Sequence, residues 1–168
     1  MRHKLTQLPR NLEVTDYSLY CPGSFIFLDF SFYNVVSIRG FSSVIDIICA
    51  STRYSFSFPT RPKRVPLDIL KWLFAILNKE NKTVRIIRVD EDGALARSRE
   101  FCKLVQLQNI SLQTTGGYMS SLNGMIERPH RDAHKATRIN IGSNIHLPEN
   151  LWYYVRTYWK YIFFLILT

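Results

Sequence analysis

The stretch SFIFLDFSFY, from Ser24 to Tyr33, decides the fold of this chain. It is dense in aromatic and aliphatic residues, which favour a half-buried β-strand. Two further stretches of this kind follow at short spacing, VIDIICA from Val44 to Ala50 and YSFSF from Tyr54 to Phe58. Turn residues separate the three, so the sequence predicts an antiparallel meander of three strands.

Helices and short strands alternate after the meander. The pattern predicts helices at Leu67–Leu77, at Ser98–Gln108 with Ser98 as N-cap, and from about Ser121 to Ile141, and strands at Val84–Val89 and Ile110–Thr114. Trp72 is predicted to be buried in the first of these helices. The order βββ-α-β-α-β-α predicts an α/β fold, with a mixed five-stranded sheet of three antiparallel and then two parallel strands, flanked by helices.

Length and composition limit the classes of protein that this chain can belong to. Its 168 residues suit one domain, and a hydrophobic fraction of 46% excludes an intrinsically disordered chain. The formal charge of +9 favours a polyanionic partner such as nucleic acid. Three cysteines without a C-x-x-C motif encode neither a zinc knuckle nor a disulfide framework, which predicts a reducing, intracellular compartment. Cys49 and Cys102 have apolar neighbours and are predicted to be inert packing residues.

The sequence divides into three parts. Residues 1–23 are predicted to be a leader or linker, residues 24–152 the folded core, and residues 153–168 an aromatic-rich apolar tail. Arg156 and Lys160 interrupt the apolar run at this end, and a membrane-spanning helix needs about 20 mostly apolar residues. No stable membrane association is therefore expected.

Asp29 is the first residue that suggests chemistry. It lies within an apolar strand, where an ionised carboxylate is costly unless it is paired or bound to a metal. The alternative is that Asp29 simply occupies the solvated face of the strand, because it alternates with Leu28 and Phe30.

A run of three acids, Asp90-Glu91-Asp92, follows directly after the fourth predicted strand. Ligands of open α/β sheets gather at the carboxyl ends of parallel strands, and clustered carboxylates favour hard cations such as Mg²⁺. The alternative is a solvated acidic turn, since Asp-Gly is a common turn pair.

The last predicted helix carries Glu127 near its beginning, followed by a series of cations. Pro129 is expected near the helix start, because proline is tolerated in the first turn. One helical face then presents Arg131, His134, Lys135 and Arg138 after Glu127. A carboxylate followed by cations suits a metal at one end and a phosphate backbone along the rest. A solvated basic face is the alternative.

Together these features resemble the catalytic core of retroviral and retrotransposon integrases, in the DDE transposase and RNase H-like group, and most closely copia-type elements. The resemblance runs from about Ser24 to Trp152. It rests on Leu28–Phe32 (LDFSF), Ser37–Phe41 (SIRGF), Phe58–Arg61 (FPTR), Arg88–Ser98 (RVDEDGALARS), Glu100-Phe101, Thr114–Tyr118 (TTGGY) and the N-G-x-x-E-R motif of Asn123–Arg128. The gap of 36 residues between Asp90 and Glu127, or of 34 from Asp92, suits the family's spacing.

The resemblance implies an RNase H-like fold and phosphoryl transfer on DNA with two Mg²⁺ or Mn²⁺ ions and no other cofactor. Asp29 would bridge both ions, and Asp90 and Glu127 would each hold one, with Asp92 as the alternative to Asp90. The reactions implied are 3′-end processing and strand transfer in DNA integration. Arg128, Arg131, His134, Lys135 and Arg138 would contact the DNA backbone.

The sequence also departs from the family pattern. Residues 1–23 hold too few metal ligands for the zinc module of full integrases, Phe27 stands where many copia-type members have His, and the match fades after Trp152. These departures predict a truncated core or an inactive retroelement relic. The alternative function is a non-catalytic nucleic-acid-binding module with the same RNase H-like fold. DNA is the expected partner, full-length relatives form homo-oligomers, and a functional protein would act in the nucleus.

Overall fold

The structure, a computed structural model, describes residues 16–61, 65–91, 93–115, 120–143 and 147–167. It describes the side chains of these residues except at 120–127, 129–130 and 163–167. The strands are β1 (Phe25–Phe32), β2 (Ser43–Cys49), β3 (Ser55–Thr60), β4 (Ile86–Asp90) and β5 (Ser111–Thr115). The helices are α1 (Leu67–Lys79), α2 (Arg99–Leu107), α3 (Ser120–Ser143) and α4 (Trp152–Leu167), and short 3-10 helices span Tyr17–Leu19 and Glu149–Leu151.

The five strands form one mixed sheet in the order β3-β2-β1-β4-β5. The strands β1, β2 and β3 pair antiparallel, whereas β4 pairs parallel with β1 and with β5. This arrangement confirms the predicted fold class. It places β1, the strand that carries Asp29, at the centre of the sheet between an antiparallel and a parallel neighbour.

One face of the sheet is covered by α1 and α2 around the main hydrophobic core. Alternate residues of β1 point into this core, among them Ile26, Leu28 and Phe30. Ser98 caps α2 as predicted, because its side chain accepts a hydrogen bond from the Phe101 N–H at 3.3 Å.

The prediction that Trp72 is buried is wrong, because its side chain is 53% exposed. The helix α1 buries Leu70, Leu73 and Phe74 instead, which lie on the stripe that faces the sheet. Trp72 lies beside that stripe, and its ring meets that of Phe58 edge-on with centroids 6.1 Å apart. A broad apolar face on a helix does not by itself indicate which of its residues meet the core.

On the opposite face of the sheet, Phe25 and Phe27 are buried together with Ile48 and Ala50. Tyr17 packs edge-on against Phe25 and Phe27 at 5.5 and 5.6 Å. Arg88 of β4 donates a hydrogen bond to the Tyr17 hydroxyl at 2.7 Å. Tyr17, in the segment predicted to be a leader, therefore packs on the sheet, whereas residues 1–15 lie outside the described residues.

The helix α3 runs from Ser120 to Ser143 and passes through Pro129 without interruption. The expectation that Pro129 marks the helix start is therefore wrong, since nine helical residues precede it. The buried side chains of Ala133 and Thr137 turn towards the sheet, and α3 contacts β1, β2 and β5. The helix thus covers the same face that carries Asp29.

The helix α4 packs beside α3 and against β3. The predicted boundary at residue 153 therefore falls in the first turn of a packed helix, because Arg156 and Lys160 turn inwards and are only 2% and 7% exposed. No helix in the described part of the chain is long and apolar enough to span a membrane.

Candidate functional site

Asp29 and Asp90 lie side by side on neighbouring parallel strands. The register pairs Phe27 with Arg88, and two residues further along the same strands lie Asp29 and Asp90. Adjacent strands are about 4.8 Å apart, and residues at the same level project from the same face. Both aspartates line one cavity of about 240 Å³, which we call the carboxylate cavity. The structure thus brings together two of the predicted acids.

Local backbone contacts hold both carboxylates at this edge of the sheet. The backbone N–H of Phe30 donates to Asp29 Oδ1 at 2.7 Å. After Asp90 the chain turns, and the Gly93 N–H donates to the Asp90 carbonyl oxygen at 3.1 Å. A Cβ atom at position 93 would lie only 3.1 Å from that oxygen, so the turn favours glycine. Asp90 is exposed and Asp29 is half-buried.

A third aspartate, Asp46, lies directly opposite Asp29 on β2. Cross-strand partners on one face have Cβ atoms about 5 Å apart, and like charges at that separation destabilise a sheet. Asp46 is fully buried, which adds a desolvation cost. Nearby cations can offset both this repulsion and this desolvation cost.

Arg156 and Lys160 of α4 supply that compensation. Arg156 Nη2 lies 2.5 Å from Asp46 Oδ2, and Lys160 Nζ lies 3.8 Å from Asp46 Oδ1. Ser57 also donates to Asp46 Oδ1, and Lys160 donates to Ser55 Oγ at 2.9 Å. Burial lowers the pKa of Lys160, although the Asp46 carboxylate opposes this shift. Asp46, Arg156 and Lys160 carry a formal charge of +1, which balances the negative charge of Asp29.

The sequence interpretation missed Asp46, although a signal was present. Asp46 stands between Ile45 and Ile47 in a strand as apolar as that of Asp29. A charged residue in such a strand requires a partner, and Arg156 and Lys160 are the cations that interrupt the apolar run near the end of the chain. Nothing in the sequence indicates that Asp46 pairs with Arg156 and Lys160.

The two other predicted acids are Glu127 and Asp92. The backbone of Glu127 belongs to α3, which contacts β1, but its side chain lies outside the described residues, as does Asp92. Among the side chains that are described, no three His, Cys, Asp or Glu groups lie close enough together to hold a metal ion. The choice between Asp90 and Asp92 stays a prediction.

Four predicted DNA-contacting cations form an exposed ridge along α3. They are Arg128, Arg131, Lys135 and Arg138, all exposed and spaced three or four residues apart, so that they lie on one side of the helix. Ala133 and Thr137 are buried on another side. We refer to these four cations as the basic ridge.

His134 differs from the four ridge residues. It is half-buried, and its ring stacks on Tyr33 with centroids 4.6 Å apart. Tyr33 in turn stacks on Trp152 at 3.8 Å with nearly parallel planes. Burial raises the pKa of Tyr33, and a hydrogen bond from Arg156 Nη1 only partly offsets this effect.

The three stacked rings form one side of a second cavity, of about 350 Å³, which we call the aromatic cavity. It lies between the end of β1, the second half of α3 and the beginning of α4. Phe32 borders both the aromatic cavity and the carboxylate cavity.

Cys49 lies outside the site and has an unusual environment. Burial alone would raise the pKa of its thiol, but hydrogen bonds from Ser51, Thr52 and the Gly23 N–H outweigh burial and lower the pKa to about 7. The Gly23 N–H lies 3.2 Å from the sulfur. The prediction of an inert packing residue therefore needs correction, since thiolates are the reactive form.

We expect alkylation of Cys49 by iodoacetamide to be half-maximal near pH 7 in the folded chain. In urea the hydrogen bonds are lost, so the midpoint should move towards 9.0. Mass spectrometry of the peptides that contain Cys21, Cys49 and Cys102 separates the three thiols. Equal midpoints for Cys49 in folded and unfolded chains would contradict the hydrogen-bonded geometry.

The fold is similar to that of retroviral integrase cores. A chain of the simian T-cell lymphotropic virus intasome, solved in complex with PP2A regulatory subunit B56 gamma, matches 80% of this chain with a TM-score of 0.58 and 14% identity. This chain spans 47% of that chain, about half of its length.

The HTLV-2 integrase catalytic core domain in complex with magnesium matches in two forms. The trimeric form has a TM-score of 0.53 and 15% identity, and the match covers 78% of this chain and 80% of the HTLV-2 chain. The dimeric form has a TM-score of 0.52 and 13% identity, with 80% and 84% covered. No protein-family model and no curated protein matches the sequence. The chain therefore has the RNase H-like fold of an integrase catalytic core.

Proposed function

We propose that this chain is an integrase-type catalytic domain that acts on DNA by two-metal phosphoryl transfer, in 3′-end processing and strand transfer. The observation that carries the proposal is the parallel register that places Asp29 beside Asp90 in one cavity. A relationship to copia-type elements is part of the same proposal, since it rests on the sequence motifs alone.

The carboxylate cavity fits hard divalent cations. Carboxylate oxygens are the ligands that Mg²⁺ and Mn²⁺ prefer, and Asp29 and Asp90 supply them from neighbouring strands. The HTLV-2 neighbours were solved with magnesium. In this proposal Asp29, Asp90 and Glu127 hold two ions, and Asp92 is the alternative to Asp90. Two bound ions would activate an attacking oxygen and stabilise the leaving oxygen of an in-line displacement.

The protein itself contributes positioning and charge. The sheet fixes Asp29 and Asp90 on rigid strands, and the buried cations behind Asp46 balance the negative charge opposite Asp29. A water molecule would attack in end processing and a DNA 3′-hydroxyl in strand transfer. Neither reaction requires a covalent protein intermediate, so no serine or cysteine nucleophile is needed.

The basic ridge would bind the phosphate backbone next to the carboxylate cavity. Its four cations lie on α3, the helix that carries Glu127 and contacts β1. Contacts of this kind position DNA without reading its sequence. His134 was predicted to share this role, but its stacked position suits the wall of the aromatic cavity better.

The double variant Arg131→Gln/Lys135→Gln is expected to bind DNA less tightly and with a weaker salt dependence. Each lost phosphate contact reduces the slope of log K against log salt by about 0.9 on B-DNA, so the slope should fall by about 2. Fluorescence anisotropy of labelled duplex over a salt series measures this slope. The matched control is Lys103→Gln, an exposed cation of α2. An unchanged slope in the double variant would show that the basic ridge does not contact the DNA.

Metal-dependent cleavage and strand transfer test the catalytic proposal. The full chain would be incubated with labelled duplex DNA and either Mn²⁺, Mg²⁺ or EDTA. We expect nicks and joined products with either metal and none with EDTA. The absence of both products at every metal concentration, in a chain that binds DNA, would refute catalysis.

A non-catalytic nucleic-acid-binding module is the second candidate. It is favoured by the basic ridge, which is exposed and would bind a phosphate backbone without any carboxylate. Salt-dependent DNA binding without cleavage would support this second function.

We also propose self-association and a nuclear site of action. The neighbouring structures are described as an intasome and as dimeric and trimeric cores. Sedimentation of the full chain over a range of concentrations measures the association, and a strictly monomeric chain would contradict it.

A further inference from the structure

We propose that Lys160 of α4 is a positioning residue that sets the affinity of the carboxylate cavity for divalent cations, acting through the buried charges of Asp46 and Arg156. The inference rests on the proposed function, because it concerns the metal ions that Asp29 and Asp90 would hold. It extends the metal site to α4, a helix that the predicted set of metal ligands does not include.

Asp46 connects the carboxylate cavity to α4. It stands opposite Asp29 in the antiparallel register of β1 and β2, so both carboxylates project from the same face of the sheet. Both oxygens of Asp46 are engaged within the protein. Oδ2 accepts hydrogen bonds from Ser31 Oγ at 3.2 Å and from Arg156, and Oδ1 accepts one from Ser57. Asp46 is fully buried and therefore acts on the cavity through its charge and not as a metal ligand.

Asp46, Arg156 and Lys160 form a buried charge cluster with one positive charge in excess. Arg156 alone neutralises Asp46, with Nη2 at 2.5 Å from Oδ2. Lys160 adds a second cation at 3.8 Å from Oδ1, and its Nζ donates to Ser55 Oγ at 2.9 Å. Because Lys160 is buried, salt screens its charge less than it screens a charge on the surface.

The excess charge lies close enough to repel a metal ion in the carboxylate cavity. Cross-strand partners have Cβ atoms about 5 Å apart, so the Lys160 ammonium lies on the order of 10 Å from an ion held by Asp29. At this distance one charge changes the affinity for a divalent cation about fourfold with the dielectric constant of water, and more in a protein interior. Lys160 therefore weakens metal binding from behind Asp46.

The sign of this effect separates charge from packing. A distorted sheet or a displaced helix weakens metal binding, because the ligands lose their geometry. Removal of the Lys160 charge should instead tighten metal binding, since Arg156 still pairs with Asp46 and the buried charge cluster becomes neutral. Tighter binding in a variant that loses a buried hydrogen bond is the signature of an electrostatic role.

The test measures metal binding without DNA and without catalysis. Mn²⁺ is titrated into the full chain at pH 7 and low ionic strength, and the EPR signal of free Mn²⁺ gives the dissociation constant. Binding that disappears in Asp29→Asn is assigned to the carboxylate cavity. We expect Lys160→Met to lower this dissociation constant by about 5-fold or more. An unchanged or a higher constant in Lys160→Met would overturn the proposal.

Three further lysine variants serve as controls. Lys160→Gln is neutral but keeps a donor for Ser55, so it should show the same decrease and replaces Lys160→Met if circular dichroism shows that variant to be unfolded. Lys160→Arg keeps the charge and should retain the original constant. Lys79→Met removes an exposed cation at the end of α1, where solvent screens it, and should also retain the constant. A similar decrease in Lys79→Met would assign the effect to net charge and overturn the role of Lys160.

Substitution of Asp46 should have the opposite effect. Asp46→Asn leaves two buried cations without their carboxylate, so the dissociation constant for Mn²⁺ should rise by about 5-fold or more. The double variant Asp46→Asn/Lys160→Met carries the same net charge in the cluster as the original chain. Its constant should return close to the original value, and a double variant that binds as weakly as Asp46→Asn would overturn the proposal.

This test and the catalytic test fail separately. Binding of Mn²⁺ that tightens in Lys160→Met, in a chain that does not cleave DNA, would support the role of Lys160 and refute catalysis. Metal-dependent cleavage with equal dissociation constants in the original chain and in Lys160→Met would refute the role of Lys160 and leave the proposed function standing. A chain without Mn²⁺ binding that depends on Asp29 would overturn the inference, whatever the cleavage assay shows.

Discussion

Replacing Asp29 with asparagine is expected to reduce metal-dependent DNA cleavage by about 10²–10³-fold. The change keeps the shape of the side chain and removes the charge that would hold a divalent cation. Metal ions contribute several kcal/mol of transition-state stabilisation, and each 1.36 kcal/mol is a factor of ten in rate. The local geometry can be kept, because the oxygen of an asparagine amide can still accept the hydrogen bond from the Phe30 N–H. Single-turnover cleavage of end-labelled duplex with Mn²⁺ measures the effect.

The neighbouring acids supply the controls. Asp90→Asn should produce a loss of similar size, whereas Glu91→Gln changes an exposed acid one residue further along and should have little effect. A large loss of cleavage rate in Asp92→Asn, combined with a small loss in Asp90→Asn, would identify Asp92 instead of Asp90 as the second metal ligand. Cleavage that continues undiminished in Asp29→Asn would eliminate the proposed metal site.

Replacing Arg156 with methionine is expected to lower the free energy of unfolding by about 3–5 kcal/mol. Breaking a buried ion pair from one side leaves the other charge desolvated, and Asp46 is fully buried. Lys160 lies 3.8 Å from the other carboxylate oxygen and compensates only in part. Urea denaturation followed by circular dichroism measures the change.

A triple variant separates the cost of an orphaned charge from a general defect in packing. Asp46→Leu/Arg156→Met/Lys160→Met removes all three buried charges together, and apolar replacement of a whole buried cluster is often neutral. It should therefore recover much of the stability that the single variant loses. The surface control Arg131→Met should stay within about 0.5 kcal/mol of the original chain. A triple variant less stable than Arg156→Met would contradict this explanation.

Local patterns in the sequence were sufficient to predict the sheet. Apolar runs with turn residues between them identified all five strands to within one or two residues, and the side chain of Ser98 identified the start of α2. The order of the elements then fixed the topology, because connections between parallel strands need a crossover. Asp29 and Asp90 could be selected because each interrupts or ends an apolar strand.

Features that depend on contacts between distant segments could not be predicted. Asp46 and Arg156 are separated by 110 positions in the chain, and no local pattern connects them. Pro129 gave a misleading local signal, because α3 extends on both sides of it. The buried position of Lys160 could not be predicted for a related reason, since it depends on a partner strand that the apolar run does not reveal.

The contact between Asp46 and Arg156 also has a consequence for folding kinetics. A ribosome synthesises β2 more than a hundred residues before it releases α4. Asp46 therefore lacks its cationic partner during most of translation. Closing so long a loop is entropically costly, and chains with many such distant pairings fold slowly. The antiparallel hairpins can form early. The carboxylate of Asp46, however, is paired with Arg156 and Lys160 only after α4 docks.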